Sequence, residues 1–150
     1  MTENANLNPI RTAPGPWIEE DIRRMPTQGF QKVLGIELDE VSPERIAAHI
    51  EIDHRHINSG GAVHGGILMS LADSLGAMGA LQNLGPTQKT ATLESKTNFV
   101  RACAGARIAA ECRPLHVGHR TSVWHTVVRD EGGRICAHVW QTQIHLDAKA

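Results

Sequence analysis

The stretch from Ile67 to Leu84, reading ILMSLADSLGAMGALQNL, constrains the fold of this chain more than any other. Leu68, Leu71, Ala72, Leu75, Met78 and Leu81 recur at the three- and four-residue spacing of an α-helix. The other face is also mostly small or apolar, so the helix is expected to be buried on nearly all sides. Its internal Gly76 and Gly79 weaken it by about 1 kcal/mol each relative to alanine unless close packing needs them. Gly85 and Pro86 supply the stop.

Around this helix the chain reads as strands. Val33 to Val41 and Arg45 to Ile52 have strand character and are joined by the turn-forming Ser42, Pro43 and Glu44, which predicts a hairpin. After the helix, Thr90 to Val100, Ala106 to Leu115, Arg120 to Val128 and Arg134 to Leu146 are rich in β-branched or alternating residues. Arg129 to Gly133, ending in two glycines, signals a second hairpin. The order is two strands, one buried helix, then four strands, which predicts an antiparallel α+β fold rather than a parallel sheet. Ahead of the strands, Trp17 to Met25 reads as a short amphipathic helix ended by Pro26. Residues 1–16 carry three prolines and little that could face a core, so they are expected to form a flexible arm before a single domain over 17–150. His54 to Gly66 has the glycine and polar content of a loop.

Charge and composition exclude several classes of partner. Fifteen basic and sixteen acidic side chains are interspersed and leave a net charge of -1, without the basic stripe of a nucleic-acid protein. The longest uncharged run, Ile57 to Ala72, contains Asn58, Ser59 and four glycines and falls short of the ~20 apolar residues of a membrane span. Met1 to Asn8 lacks the basic start and apolar centre of a secretory signal, so a cytoplasmic protein is expected. Cys103, Cys112 and Cys136 are odd in number and widely spaced, and read as free thiols. His54 and His56, expected on one side of a strand, and His64 are joined by no acidic or cysteine residue at a recognisable spacing, so no metal is expected.

Asp73 is the only charged residue between Ile67 and Leu84. Aspartate is a poor helix former, and burying its carboxylate without partners costs several kcal/mol, so either partners offset that cost or the helix opens to solvent at that turn. Just before the first apolar turn stand His64, Gly65 and Gly66. Unpaired N–H groups at a helix start carry partial positive charge, and glycine lets a ligand oxygen approach them, which makes a candidate oxyanion site. The alternative is that the glycines only let the loop turn. Eight residues separate Gly65 from Asp73, or ~12 Å along one straight helix, too far for both to act on one carbonyl. Two copies of the helix running antiparallel across a two-fold axis would bring Gly65 of one to Asp73 of the other.

The run Asn58 to Ala80, NSGGAVHGGILMSLADSLGAMGA, closely resembles the signature of the hotdog-fold acyl-CoA thioesterases, in particular the phenylacetic-acid-degradation thioesterase-like branch of the 4-hydroxybenzoyl-CoA thioesterase superfamily. The likeness continues through TLESKTNFVRA at 92–102, GHRTSVW at 118–124 and the closing ICAHVWQTQIHL, covering roughly residues 30–146. The resemblance implies a curved antiparallel sheet wrapped around the central helix, a homodimer formed through that region, and a tetramer built as a dimer of dimers. It implies an acyl-CoA substrate, with coenzyme A as part of the substrate and no separate cofactor. Asp73 matches the catalytic carboxylate, acting as general base or as nucleophile. The N–H of Gly65 matches the donor that polarises the thioester carbonyl, with Gly66 beside it, while His64 and Asn58 match groups that position the thioester and assist the thiolate. Thr92 falls where some relatives place a water-orienting hydroxyl, and His119 and Arg120 fall where coenzyme A phosphates could be met. Some relatives carry a hydroxyl one turn after the carboxylate, where this chain has Ala77, so that task would pass to Thr92.

Two other functions fit parts of the pattern. A hotdog acyl-thioester hydratase or dehydratase needs a His and a carboxylate placed for proton removal beside a carbonyl, but the spacing from His64 to Asp73 resembles the thioesterase branch more. A non-catalytic acyl-CoA-binding regulatory module is the second, against which the joint presence of Asp73, His64 and Asn58 speaks. With only Trp17, Trp124, Trp140, Phe30 and Phe99 as aromatics, a pocket lined mainly by Leu, Met and Ala is expected, and the acyl group is not legible.

Overall fold

The computed structural model describes residues 16–147, so the expected arm at residues 1–16 lies, apart from Pro16, outside the described residues. The apolar stretch forms a helix, Gly65–Gln82, two residues earlier at each end than its apolar pattern suggests. The strands are β1 (Ile36–Ser42), β2 (Arg45–Glu51), β3 (Gln88–Phe99), β4 (Arg107–Val117), β5 (Thr121–Asp130) and β6 (Ile135–Asp147). They form one antiparallel sheet in the order β1-β2-β4-β5-β6-β3, and the long helix touches all six. A sheet whose every strand meets one helix has to curve around it, as the family resemblance implies.

Strict alternation sends one face of the central strands inward. Ile46, Ala48 and Ile50 of β2, Ile108, Ala110 and Cys112 of β4, and Trp124 and Val128 of β5 are buried against Leu68, Leu71, Leu75 and Met78 of the helix. The two helix glycines have packing reasons. A Cβ on Gly79 would lie 2.6 Å from the Trp124 ring, and one on Gly76 would lie 2.2 Å from the Gln141 side chain. Cys103, Cys112 and Cys136 are free and buried, in line with the reading of free thiols. None of the described helices is long and apolar enough to cross a membrane.

One expectation holds and another is corrected before the sheet begins. The amphipathic segment is a short helix, α1 (Glu19–Arg24), which stops ahead of Pro26, and a 3-10 turn over Met25–Thr27 follows it. Val33 and Leu34 belong to a second helix, α2 (Gly29–Leu34), and not to the first strand. That helix ends on Gly35 at φ 69, a left-handed cap that glycine adopts without strain, and β1 starts one residue later. The long helix is therefore α3. Between β2 and α3 the expected loop holds a 3-10 turn at His54–His56, so these histidines do not share a strand face, and Gly65 and Gly66 already lie inside α3.

Gly79→Ala decides between propensity and packing. Alanine in a helix is worth about 1 kcal/mol over glycine. The Trp124 ring is tethered, however, by its Nε1–H to Ser122 Oγ at 2.8 Å, so it cannot move away freely. We expect Gly79→Ala to lose about 1–3 kcal/mol in urea unfolding through overpacking. A gain in stability would show that Trp124 does not set the helix-to-sheet distance.

Candidate active site

Asp73 emerges from α3 half-buried, and partners from the sheet hold it. Thr92 Oγ1 on β3 donates to Asp73 Oδ1 at 2.9 Å. Gln141 on β6 passes over Gly76, and its Nε2 lies 3.3 Å from the Asp73 carbonyl oxygen and 3.5 Å from Oδ1. Oδ1 is thus engaged, and among the described residues no donor is recorded at Oδ2. The carboxylate opens into a cleft of about 450 Å³. Phe30, Met69 and Ala77 give this cleft an apolar side, while Gln31, Ser70, Ser74, Thr92 and Ser95 give it a polar one. That mixture corrects the expectation of a lining mainly of Leu, Met and Ala. The β-bulge between Thr92 and Glu94 puts both Thr92 and Ser95 on the cleft side, which uninterrupted alternation would forbid.

At the N-terminal end of the same helix the loop is built around Asn58 and His64. Asn58 Oδ1 accepts from the N–H groups of Gly60 at 2.8 Å and Ala62 at 3.2 Å, fixing the turn that leads to α3. His64 is the N-cap of α3: its Nδ1 accepts from Gly66 N–H at 2.9 Å. The neutral imidazole therefore carries its proton on Nε2. Gly66, expected to bind substrate, uses its N–H in this cap, and a Cβ there would lie 2.9 Å from the ring. Gly65 N–H is left as the open donor of the first turn. The Phe99 ring sits against Gly65, leaving only 3.0 Å for a Cβ, so a side chain at this position has to displace it.

Gly65 and Asn58 line a second cleft of about 400 Å³, with Phe99, Val100, Arg101 and Cys103 on its far side. Arg101 is the one charged residue of that lining. Burial and the neighbouring Cys136 push the Cys103 thiol far above its ordinary range, which favours the protonated form. The two clefts share no lining residue, and Gly65 and Asp73 do belong to one helix, ~12 Å apart by its rise. One chain thus holds two separate clefts facing different places.

Of the remaining candidates, His119 and Arg120 occupy the exposed turn between β4 and β5. The register places that turn just beyond the row formed by Ser122, Gln143 and Thr92, at the Asp73 end of the sheet. Neither has a recorded hydrogen bond or ion pair from its side chain to the Asp73 cleft. Ala77 lines the cleft one turn from Asp73 without a hydroxyl, as the sequence implies, and Ser74, next to Asp73 in the chain, lines it as well. No sequence signal marks Phe30, which precedes the segment expected as strand, or Gln141, which sits within the last expected strand.

The sequence profile of the thioesterase superfamily matches residues 60–137. The chain is 33% identical over 103 residues to the 1,4-dihydroxy-2-naphthoyl-CoA hydrolase of Escherichia coli K12, covering 69% of this chain and 76% of that enzyme. It is 31% identical over 103 residues to the proofreading thioesterase EntH of Cronobacter turicensis, covering 69% and 75%. Among solved structures, a thioesterase of Haemophilus influenzae superposes with a TM-score of 0.81 at 23% identity, covering 89% of this chain and 94% of that one. A thioesterase of Pseudomonas aeruginosa, solved as a mutant, superposes at 0.80 with 25% identity over 85% and 93%. The sheet wrapped around one helix is therefore the hotdog fold.

The cap formed by His64 can be separated from any chemistry at its ring. His64→Ala is expected to lose about 1 kcal/mol of stability through the uncapped helix start, and His64→Asn to recover most of it, because an amide oxygen caps as well. Denaturation of the three proteins measures the cap. If His64→Asn is as stable as the parent yet hydrolyses thioesters more slowly, the ring has a role beyond capping.

Proposed function

The chain belongs to the thioesterase superfamily and is a thioester hydrolase, and on that premise we propose that it cleaves an acyl-CoA to a free acid and coenzyme A at a site shared by two copies of the chain. The observation that carries this reading is the pairing of a sheet-held carboxylate, Asp73, with an open helix N-terminal donor, Gly65 N–H, too far apart along α3 to serve one carbonyl.

With Oδ1 engaged by Thr92, Asp73 Oδ2 is the oxygen that takes a proton from water as the water attacks the thioester carbon. The carbonyl oxygen gains negative charge in that step, and Gly65 N–H at the positive end of α3 stabilises it. Collapse of the tetrahedral species breaks the C–S bond, and the His64 Nε2–H is the nearby donor for the leaving thiolate. The same geometry serves attack by Asp73 itself, with water then cleaving the mixed anhydride. His119, Arg120 and Arg101 supply positive or polar groups at the rims for coenzyme A phosphates. Asn58, through the half of its amide not engaged in the loop, positions the thioester.

The free edge of β3 supports the shared site. β3 ends the sheet, and Leu93 and Phe99 along it and Val100 just past it are more than half exposed. Thr92 marks its Asp73 end and Phe99 its Gly65 end, so two β3 edges paired antiparallel across a two-fold axis lay each Gly65 cleft beside the partner's Asp73 cleft. Pairing two such dimers completes a tetramer, and a cytoplasmic location suits a coenzyme A substrate.

Two measurements test this reading. Asp73→Asn should keep the fold and the dimer and lower thiol release from an acyl-CoA panel by at least about a hundredfold, as loss of a catalytic base does. Near-parental turnover in that folded variant would overturn the assignment. Gly65→Val should be equally inactive by itself. After subunit exchange, a mixture of Asp73→Asn and Gly65→Val chains should regain activity, since one interface of each heterodimer joins an intact glycine to an intact aspartate. An exchanged mixture as inactive as its parents would refute the shared site. Double-bond chemistry without thiol release would indicate a hydratase.

A further inference from the structure

We infer that Gln143 is a positioning residue for the reaction, acting on Asp73 through the hydroxyl of Thr92; the inference rests on the assignment of Asp73 as the reacting carboxylate. Gln143 projects from the inner face of β6 and is fully buried. A primary amide there fills core space with two polar groups, each of which costs about 1–3 kcal/mol if left without a partner. Both are bonded. Nε2 donates to Thr92 Oγ1 at 2.8 Å, and Oε1 accepts from Thr90 Oγ1 at 2.9 Å.

The direction of these bonds matters more than their number. An amide nitrogen has no lone pair to offer, so Thr92 Oγ1 must accept from Gln143 and its own single hydrogen must point elsewhere. Asp73 Oδ1, 2.9 Å away, is the acceptor in reach. The oxygen end of the Gln143 amide faces the Thr90 hydroxyl at 2.9 Å, whose single hydrogen it shares with the Ile144 carbonyl at 3.0 Å. Gln143 to Thr92 to Asp73 is thus a one-way chain of donors ending on one carboxylate oxygen. Without Gln143, the Thr92 hydroxyl is an exposed rotor on an edge strand, free to turn among three staggered positions and to donate to water. Gln143 holds that rotor in the one position that fixes Oδ1 and leaves Oδ2 directed at the cleft.

A second buried amide gives this region the same polarity. Gln141 presents Nε2 to Asp73, and the reversed amide would set its oxygen against the carbonyl and carboxylate oxygens of the same residue. Its own Oε1 is buried without a partner. The site therefore tolerates an unmet acceptor in order to aim a donor at Asp73. A residue serving only the ladder between β6 and β3 needs neither feature.

The experiment is a double-mutant cycle read as kcat and KM separately. Gln143→Leu keeps the volume and removes the donor, and leaves Thr90 the Ile144 carbonyl at 3.0 Å as an alternative acceptor. Each of Gln143→Leu and Thr92→Val is expected to lower kcat about tenfold or more, the size of a hydrogen bond to a charged group, with KM within about twofold of the parent. The double variant should be no slower than Thr92→Val alone, because Gln143 has nothing left to orient. In a Thr92→Ser background, which keeps the hydroxyl, Gln143→Leu should again lower kcat. If Gln143→Leu fails to fold, Gln143→Glu replaces it: a near-isosteric acceptor that draws the Thr92 hydrogen away from Asp73 and should lower kcat at least as much. Full turnover in a folded Gln143 variant, or a loss that adds to that of Thr92→Val, overturns the inference. Asp73→Asn measured in parallel separates the two claims, since an active Asp73→Asn protein refutes the carboxylate assignment itself.

Discussion

A helix with no polar face cannot remain in water, and the rest of this structure follows from enclosing one. α3 is apolar nearly all round, so all six strands pack on it and α1 and α2 cover a further strip, leaving the side of Met69, Ser70, Asp73 and Ala77 to the cleft. How closely the sheet can approach is set by Gly76 and Gly79, where Gln141 and the Trp124 ring occupy the space that side chains would take. The two insertions differ in kind. Trp124 adds buried apolar surface, whereas Gln141 brings an amide to the one charged residue of the helix. Enclosure and the support of Asp73 are therefore the same packing event. A carboxylate in that helix costs too much without donors, and the two strands that supply them, β3 and β6, are held in place by the helix they cover.

What the sequence made legible follows the range of the signal. Periodicity over α3 and alternation over the strands are local, so element order, antiparallel pairing and both hairpins could be read from the residues. The isolation of Asp73 and the glycines ahead of the apolar turn were visible for the same reason. Thr92 came into view through family resemblance, because nothing in its own strand marks it. The glutamines of β6 were hidden by a misleading alternation. In the run VWQTQIHL the apolar Trp140 and Ile144 look like the inward set, yet Val139, Gln141 and Gln143 face the core, while Trp140 stacks on His125 across the outer face. A one-residue change of register exchanges the two faces of a strand, and an irregularity such as that between Val128 and Arg129 in the pairing of β5 with β6 can make it.

The misreading of α2 had a similar origin and a larger consequence for the cleft. Val33 and Leu34 are β-favouring or neutral by propensity, but a six-residue helix docked on α3 is a tertiary choice, fixed by the burial of Leu34 and the left-handed cap at Gly35. That helix carries Phe30 and Gln31 to the Asp73 cleft. Phe30 of the apolar wall and Gln31 of the polar wall thus come from a segment whose local sequence does not announce them, and the serines of α3 and β3 that complete the polar wall are residues that composition alone places anywhere. Site chemistry could be read from unusual residues, whereas site shape depended on ordinary ones.

Alignment of Asp73 and association of two chains meet in one element. β3 holds Thr92 against the carboxylate, yet it is an edge strand paired on one side only and exposed along much of both faces. An edge strand with few apolar contacts opens more readily than a central one, so the donor on Asp73 is no steadier than the ladder between β3 and β6. Gln143 ties Thr92 to that ladder from the buried side. If a second copy pairs with the free edge, as the shared site requires, β3 becomes a central strand and the Thr92 hydroxyl is held from both flanks. Dimer formation then completes the oxyanion side of each site and also steadies the carboxylate side, so a free single chain lacks the partner's Gly65 and holds its own Asp73 less firmly.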